Sequence, residues 1–252
     1  MKEGRFSPST RQILTLGLFV GSFGLSAQVP KATPYTWKNV QIVGGGFVDG
    51  VIFHPTAKDV RYARTDMGGA YRWDAATHRW QPMLDWMPYK DLNLMGVESI
   101  ALDPADASRV YMACGTYTNP NTPNGAILRS SDRGHTFQRT DVPFKFGGNE
   151  DGRGNGERLA VDPKDGRILY LGTRHDGLWR SADRGVSWAK VASFPDIAEN
   201  VPTLEPVAGE TPQQRYRRMP VRGDGIVFVK FAPGGRFRKR VARPRPCMQA
   251  FH

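Results

Sequence analysis

Short runs of alternating apolar and polar residues recur between residues 48 and 232, separated by Asp-Pro, Asp-Gly and Asp-Arg-Gly. Such alternation predicts strands, and the punctuation predicts turns. The i, i+3, i+4 spacing of an amphipathic helix does not dominate anywhere in that region. The runs also repeat as a set. One copy reads Val97-Glu-Ser-Ile-Ala-Leu-Asp-Pro104, Arg109-Val-Tyr-Met-Ala-Cys-Gly-Thr116 and Gly125-Ala-Ile-Leu-Arg-Ser130. The next reads Glu157-Arg-Leu-Ala-Val-Asp-Pro163, Arg167-Ile-Leu-Tyr-Leu-Gly-Thr173 and Gly177-Leu-Trp-Arg-Ser181. A looser copy precedes them from Gly50 to about Trp80, and a fourth opens at Gly225. Asp132 and Asp183, equivalent positions in two copies, lie 51 residues apart. A four-stranded sheet every ~40–50 residues is the period of a propeller blade, with a solenoid as the competing architecture. The predicted fold class is all-β, an incomplete β-propeller of about three to four blades.

Two copies share a further signature. Ser130-Ser-Asp-Arg-Gly-His-Thr-Phe137 and Ser181-Ala-Asp-Arg-Gly-Val-Ser-Trp188 both fit Ser-x-Asp-x-Gly-x-(Ser/Thr)-aromatic, the Asp-box pattern of sialidase-like propellers. In such a turn the carboxylate accepts backbone N–H groups, glycine takes positive φ and the aromatic packs on the blade. Asp132 and Asp183 therefore read as structural.

Charge changes the picture little. The net charge is +11, but residues 236–252 carry +6 and residues 1–27 carry +2, leaving the centre mildly basic. No central basic stripe of the kind that binds nucleic acid is present. Residues 1–27 combine Lys2, Arg5 and Arg11, an apolar run and Ser26-Ala27, which predicts a cleaved export signal and a secreted or periplasmic protein without membrane attachment. Cys114 sits in an apolar run and is expected to be buried; Cys247 lies in the basic tail. The cysteines and histidines show no metal-ligand or triad spacing, and no cofactor is expected. Residues 147–156 are glycine-rich, but lack the Gly-Lys-(Ser/Thr) ending of a phosphate loop. Glu150, Asp151, Arg153 and Glu157 could hydrogen-bond sugars, but the segment reads first as a solvated loop. The domain reading is signal peptide 1–27, incomplete propeller 28–235 and basic tail 236–252.

Candidate chemistry centres on Arg64-Thr-Asp-Met-Gly-Gly-Ala-Tyr-Arg-Trp73. Asp66 follows a predicted strand and precedes Gly68-Gly69, so on the residues alone it reads first as a turn-stabilising carboxylate and second as a catalytic one. Arg64 or Arg72, if close, would keep it ionised. Tyr71, Trp86 and Tyr89 are candidates for flat surfaces against sugar rings, with ordinary packing as the alternative.

The run Gly44-Gly-Gly-Phe-Val-Asp-Gly-Val-Ile-Phe-His54, the Asp66 segment, Gly96-Val-Glu-Ser-Ile-Ala101, Gly125-Ala-Ile-Leu-Arg-Ser130 and Gly152-Arg-Gly-Asn-Gly-Glu-Arg-Leu-Ala160 together resemble the opening of family-74 glycoside hydrolases, the xyloglucanases. The likeness covers roughly residues 35–233. It implies the first of two seven-bladed propellers facing across a cleft, and inverting hydrolysis of the β-1,4-glucan backbone of xyloglucan. It implies that Asp66 is the general base and that the general acid comes from a second propeller absent from this chain. Inversion needs two carboxyl groups about 6.5–9.5 Å apart across the scissile bond. The tail after Gly235 departs from the family's pattern, which is read as a frameshift or early stop, with a genuine basic tail as the alternative, and the chain alone is expected to be inactive. Two other functions compete: a non-catalytic propeller that binds glycan or protein, and a sialidase-like enzyme, which would need an arginine cluster.

Overall fold

The computed structural model describes residue 42, residues 44–194, and the segments 207–209, 225–232 and 236–241 with isolated residues between them. The chain divides into Met1–Asn39 and Val40–His252, and every described residue lies in the second unit. The export-signal expectation for residues 1–27 lies outside the described residues, as does Cys247.

Three antiparallel meanders follow one another, each with its strands in sequence order. The first comprises β1 (Val48–Phe53), β2 (Arg61–Thr65), β3 (Ala70–Asp74) and β4 (Arg79–Pro82). The second comprises β5 (Val97–Asp103), β6 (Asp106–Cys114), β7 (Ala126–Ser130) and β8 (Gln138–Asp141). The third comprises β9 (Leu159–Val161), β10 (Leu169–Gly172), β11 (Leu178–Ser181) and β12 (Ala189–Lys190). A fourth sheet opens with β13 (Ile226–Ala232), which pairs with β14 (Arg236–Val241). The basic run from Arg236 thus has an extended, paired backbone. A 3₁₀ helix, Tyr89–Met95, links the first two meanders. Among the described residues no helix is long and apolar enough to cross a membrane.

The first strands of successive sheets lie side by side, β5 beside β9 and β9 beside β13. This is a partial β-propeller of stacked blades. Strand periodicity explains its cores. In blade 2, Ile100, Leu102, Val110, Met112, Cys114, Ala126 and Leu128 face blade 1, meeting Tyr62, Ala70, Met83 and Leu84. The intervening Ala101, Tyr111, Ala113 and Ile127 face blade 3, meeting Leu159, Val161, Leu169 and Leu171. Both faces of the blade are buried, so its strands read as nearly continuous apolar runs. Cys114 is a free thiol within the first of these layers, and burial pushes its pKa up.

The two aspartate turns close as expected. Asp132 accepts the Thr136 N–H at 2.9 Å and its hydroxyl at 2.5 Å, and Asp183 accepts the Ser187 N–H at 2.9 Å and its hydroxyl at 2.6 Å. Burial alone would raise the Asp132 pKa, but the Thr136 and Ser130 hydroxyls and the backbone donors reverse this and hold it well below the carboxylate range. The residue before each glycine, Arg133 or Arg184, adopts φ 61°. Two successive left-handed residues thus carry the chain through the turn.

Candidate active site

Asp66 sits in the β2–β3 turn, and the turn closes without its side chain. Thr65 supplies the closure: its N–H and hydroxyl both donate to the Gly69 carbonyl, at 3.0 and 2.8 Å, and its hydroxyl accepts the Gly68 N–H at 2.9 Å. The corresponding turn of blade 3 uses Thr173 and Gly177 in the same way and carries Arg174 where blade 1 carries Asp66. The turn geometry therefore does not require an aspartate. This removes the turn-stabilising role that residue type alone suggested.

What holds Asp66 is the chain leading into β1. Phe47 N–H donates to Asp66 Oδ1 at 2.7 Å, and the Asp66 N–H donates back to the Phe47 carbonyl at 3.1 Å. The glycines of this lead-in are there for room. A Cβ on Gly46, at φ +89°, would meet Asp66 Oδ1 at 2.8 Å, and one on Gly68 would overlap the Gly45 carbonyl at 1.7 Å. Asp66 is 7% exposed, with Oδ2 3.8 Å from Arg153 Nη2.

Arg153 is the guanidinium that sequence reasoning missed. Arg64 is fully buried and donates to Glu157 at 2.7 Å and to the Arg153 carbonyl at 2.9 Å. Arg72 reaches the Arg133 carbonyl, at the far end of the strands. Neither serves Asp66. Arg153 comes instead from the glycine-rich 147–156 segment, and joins Asp66 to Asp49, whose Oδ1 lies 3.1 Å from Arg153 Nε. Burial pushes the Asp49 pKa up, against the opposing pull of Arg64 and Arg153. That segment is not a freely solvated loop. Its density of charge in a glycine-rich context was the available signal.

A second buried network lies along the neighbouring inner strands. Glu98 receives Arg158 Nε at 2.5 Å, Arg174 Nη2 at 3.0 Å and the Gly147 N–H at 2.6 Å. Glu157 meanwhile accepts the Ser99 hydroxyl and the Ile100 N–H, each at 2.7 Å. Ionic pairs thus tie blades 1, 2 and 3 together beside the Asp66 turn.

The three aromatic candidates have different fates. Tyr71 is 3% exposed, its hydroxyl beneath Gly44 and bonded to the Gly45 backbone, so it props the lead-in that holds Asp66. Trp86 is half exposed and stacks on Phe137 with ring centroids 6.4 Å apart. Phe137 closes the aspartate turn of blade 2, at the opposite end of that blade's strands from Gly96 and the Asp66 turn. Tyr89, at the start of the 3₁₀ helix, is exposed. The exposed aromatic beside Asp66 is Phe47, which the Arg153 guanidinium covers at 5.6 Å from the ring centroid. Tyr117, partly exposed, accepts from Asn149 Nδ2 at 2.6 Å in the β6–β7 loop at the same end. Among the described residues no cluster of three or more metal-ligating side chains occurs.

No family model matches the sequence. Individual relatives do. A xyloglucanase of Acetivibrio thermocellus is 58% identical over 175 residues, covering 68% of this chain and 21% of its own. A probable oligoxyloglucan-reducing end-specific xyloglucanase of Neosartorya fischeri is 45% identical over 218 residues, covering 86% of this chain and 24% of its own. The crystal structure of a GH74 xyloglucanase from Xanthomonas campestris matches with a TM-score of 0.66 and 53% identity, covering 84% of this chain and 28% of that one. The chain belongs to glycoside hydrolase family 74. It spans about a fifth to a quarter of the length of these curated relatives. Within this family-74 stretch, the buried charges that link three blades reach the Asp66 turn through Arg153.

Proposed function

We propose that this chain supplies the base-bearing part of an exported xyloglucanase, in which Asp66 activates water for inverting cleavage of a β-1,4-glucan backbone. The observation that carries this reading is the way Asp66 is held. One carboxylate oxygen is fixed by a backbone N–H, the other faces a guanidinium, and the turn has no structural need of either. A positioned carboxylate with a spare lone pair is what a general base requires. The acid that protonates the leaving oxygen is, on this reading, a second carboxyl group across the scissile bond, about 6.5–9.5 Å from Asp66. Phe47, on the ring face that Arg153 leaves open, offers the sugar surface nearest the base, while Tyr89 serves a more distant unit; Trp86, stacked on Phe137 at the other end of the strands, lies away from this cleft. The Ser-x-Asp-x-Gly turns are Asp-box scaffold, and the leader at residues 1–27 directs export.

The test is a chimaera in which residues 44–194 replace the matching segment of the Acetivibrio relative. It should release oligosaccharides from xyloglucan, and Asp66→Asn within it should lower kcat by about 10²–10⁴-fold, the usual contribution of a general base. Unchanged kcat in that variant would remove the assignment.

A further inference from the structure

A second feature repeats at the opposite end of the strands. In each complete blade a tyrosine on the second strand pairs across the ladder with an arginine on the third: Tyr62 with Arg72, Tyr111 with Arg129, and Tyr170 with Arg180. The left-handed arginine of the next blade's aspartate turn lines the same inter-blade cavity, Arg133 beside the first pair and Arg184 beside the second.

The two cavities differ in where their donors go. Between blades 1 and 2, Tyr62 Oη and Arg72 Nη1 both donate to the Arg133 carbonyl at 3.3 Å. Between blades 2 and 3, the equivalent Tyr111 Oη and the Arg129 Nε are buried and find no acceptor in the protein. Tyr111 is 1% exposed, and the charged groups around its phenol are Arg109, Asp103 and Arg184. The cavity encloses about 310 Å³ among Arg109, Tyr111, Arg129, Thr136, Asp183 and Arg184. Its one carboxylate, Asp183, is already engaged by the Ser181 and Ser187 hydroxyls. Arg109 is taken by Asp106 at 2.9 Å, so two guanidiniums, Arg129 and Arg184, and a phenol face this space beside the polar side chains of Ser131 and Gln138. Leaving such donors buried and unmet is costly, and an acceptor-rich anion relieves both the hydrogen-bond deficit and the excess positive charge.

We propose that this cavity between blades 2 and 3 binds a small oxyanion, the carboxylate of an acidic sugar or inorganic phosphate, with Tyr111 Oη and Arg129 Nε donating to it. The site is independent of Asp66, which lies at the other end of the strands.

The full chain is titrated with inorganic phosphate, with glucuronate and with uncharged glucose, following the heat-unfolding midpoint and the heat of binding. The expected result is saturable binding of at least one anion and none of glucose. Tyr111→Phe and Arg129→Gln should each weaken it about tenfold, while Tyr62→Phe and Arg72→Gln leave it unchanged. Tyr111→Phe removes only an oxygen without a protein partner, so its fold is retained, and comparing variants at equal salt separates binding from general salt stabilisation. Binding of glucuronate alone identifies an acidic sugar as the ligand, and binding of phosphate alone identifies phosphate. No saturable binding of either anion, or equal binding by the Tyr111→Phe and Arg129→Gln variants, would overturn the proposal.

Discussion

At the scale of single residues, buried charge sets the most specific expectations. Glu98 is wholly enclosed. Burial pushes its pKa up, but Arg174 and Arg158 outweigh that and hold it below the ordinary 4.5. Because the folded value is the lower one, the stabilisation it brings is fully present above the unfolded pKa and is lost as pH falls through the folded one. Urea midpoints measured from pH 7 down to pH 3 should therefore fall in the parent chain below about pH 4.5, and the fall should be shallower in Glu98→Gln. Glu98→Ala at neutral pH leaves two guanidiniums buried without their carboxylate. It should cost about 3–5 kcal/mol, read from the same urea curves. Arg153 is the residue that sequence reasoning could not place. Arg64 and Arg72 are near Asp66 in the chain, yet strand geometry sends one inward to Glu157 and the other to the far end of the blade. The guanidinium that reaches Asp66 arrives from 87 positions further on, as its ion pair with that carboxylate records. Contacts of that kind depend on blade stacking, which period and composition do not specify.

At the scale of elements, the turns explain themselves better than the loops do. The Ser-x-Asp-x-Gly turns were readable because their chemistry is local: every donor to Asp132 or Asp183 lies within four residues. The strand pattern was readable for the same reason, since alternation fixes which residues face which neighbouring blade. The Asp66 turn was half legible. Thr65 and Gly69 close it locally, but the lead-in that positions the carboxylate comes from nineteen residues earlier. Gly68→Ala tests that lead-in. Its Cβ would overlap the Gly45 carbonyl, so either the turn or residues 44–46 must move. Overpacking of this kind costs about 1–3 kcal/mol. The expected readout is a lower unfolding midpoint together with loss of hydrogen-exchange protection at the Phe47 N–H. A midpoint shift without that loss would mean that the strain is absorbed elsewhere.

At the scale of the whole molecule, the first blade differs from the second and third. Strands β5 and β9 lie against a neighbouring blade, whereas the residues around β1 leave apolar surface open: Phe47 is 65% exposed, Phe53 63% and Val51 44%. An exposed apolar edge strand invites pairing with another chain. The purified chain should self-associate as its concentration rises, and Val51→Lys combined with Phe53→Lys should shift it towards monomer by light scattering. An unchanged mass distribution in the double variant would place the contact elsewhere. The central claim is that Asp66 acts as a base on water, and rescue chemistry tests it most directly. In the xyloglucanase chimaera carrying Asp66→Ala, turnover should collapse and then recover with added azide, a nucleophile that needs no base to activate it. Full activity in that variant without azide would contradict the account.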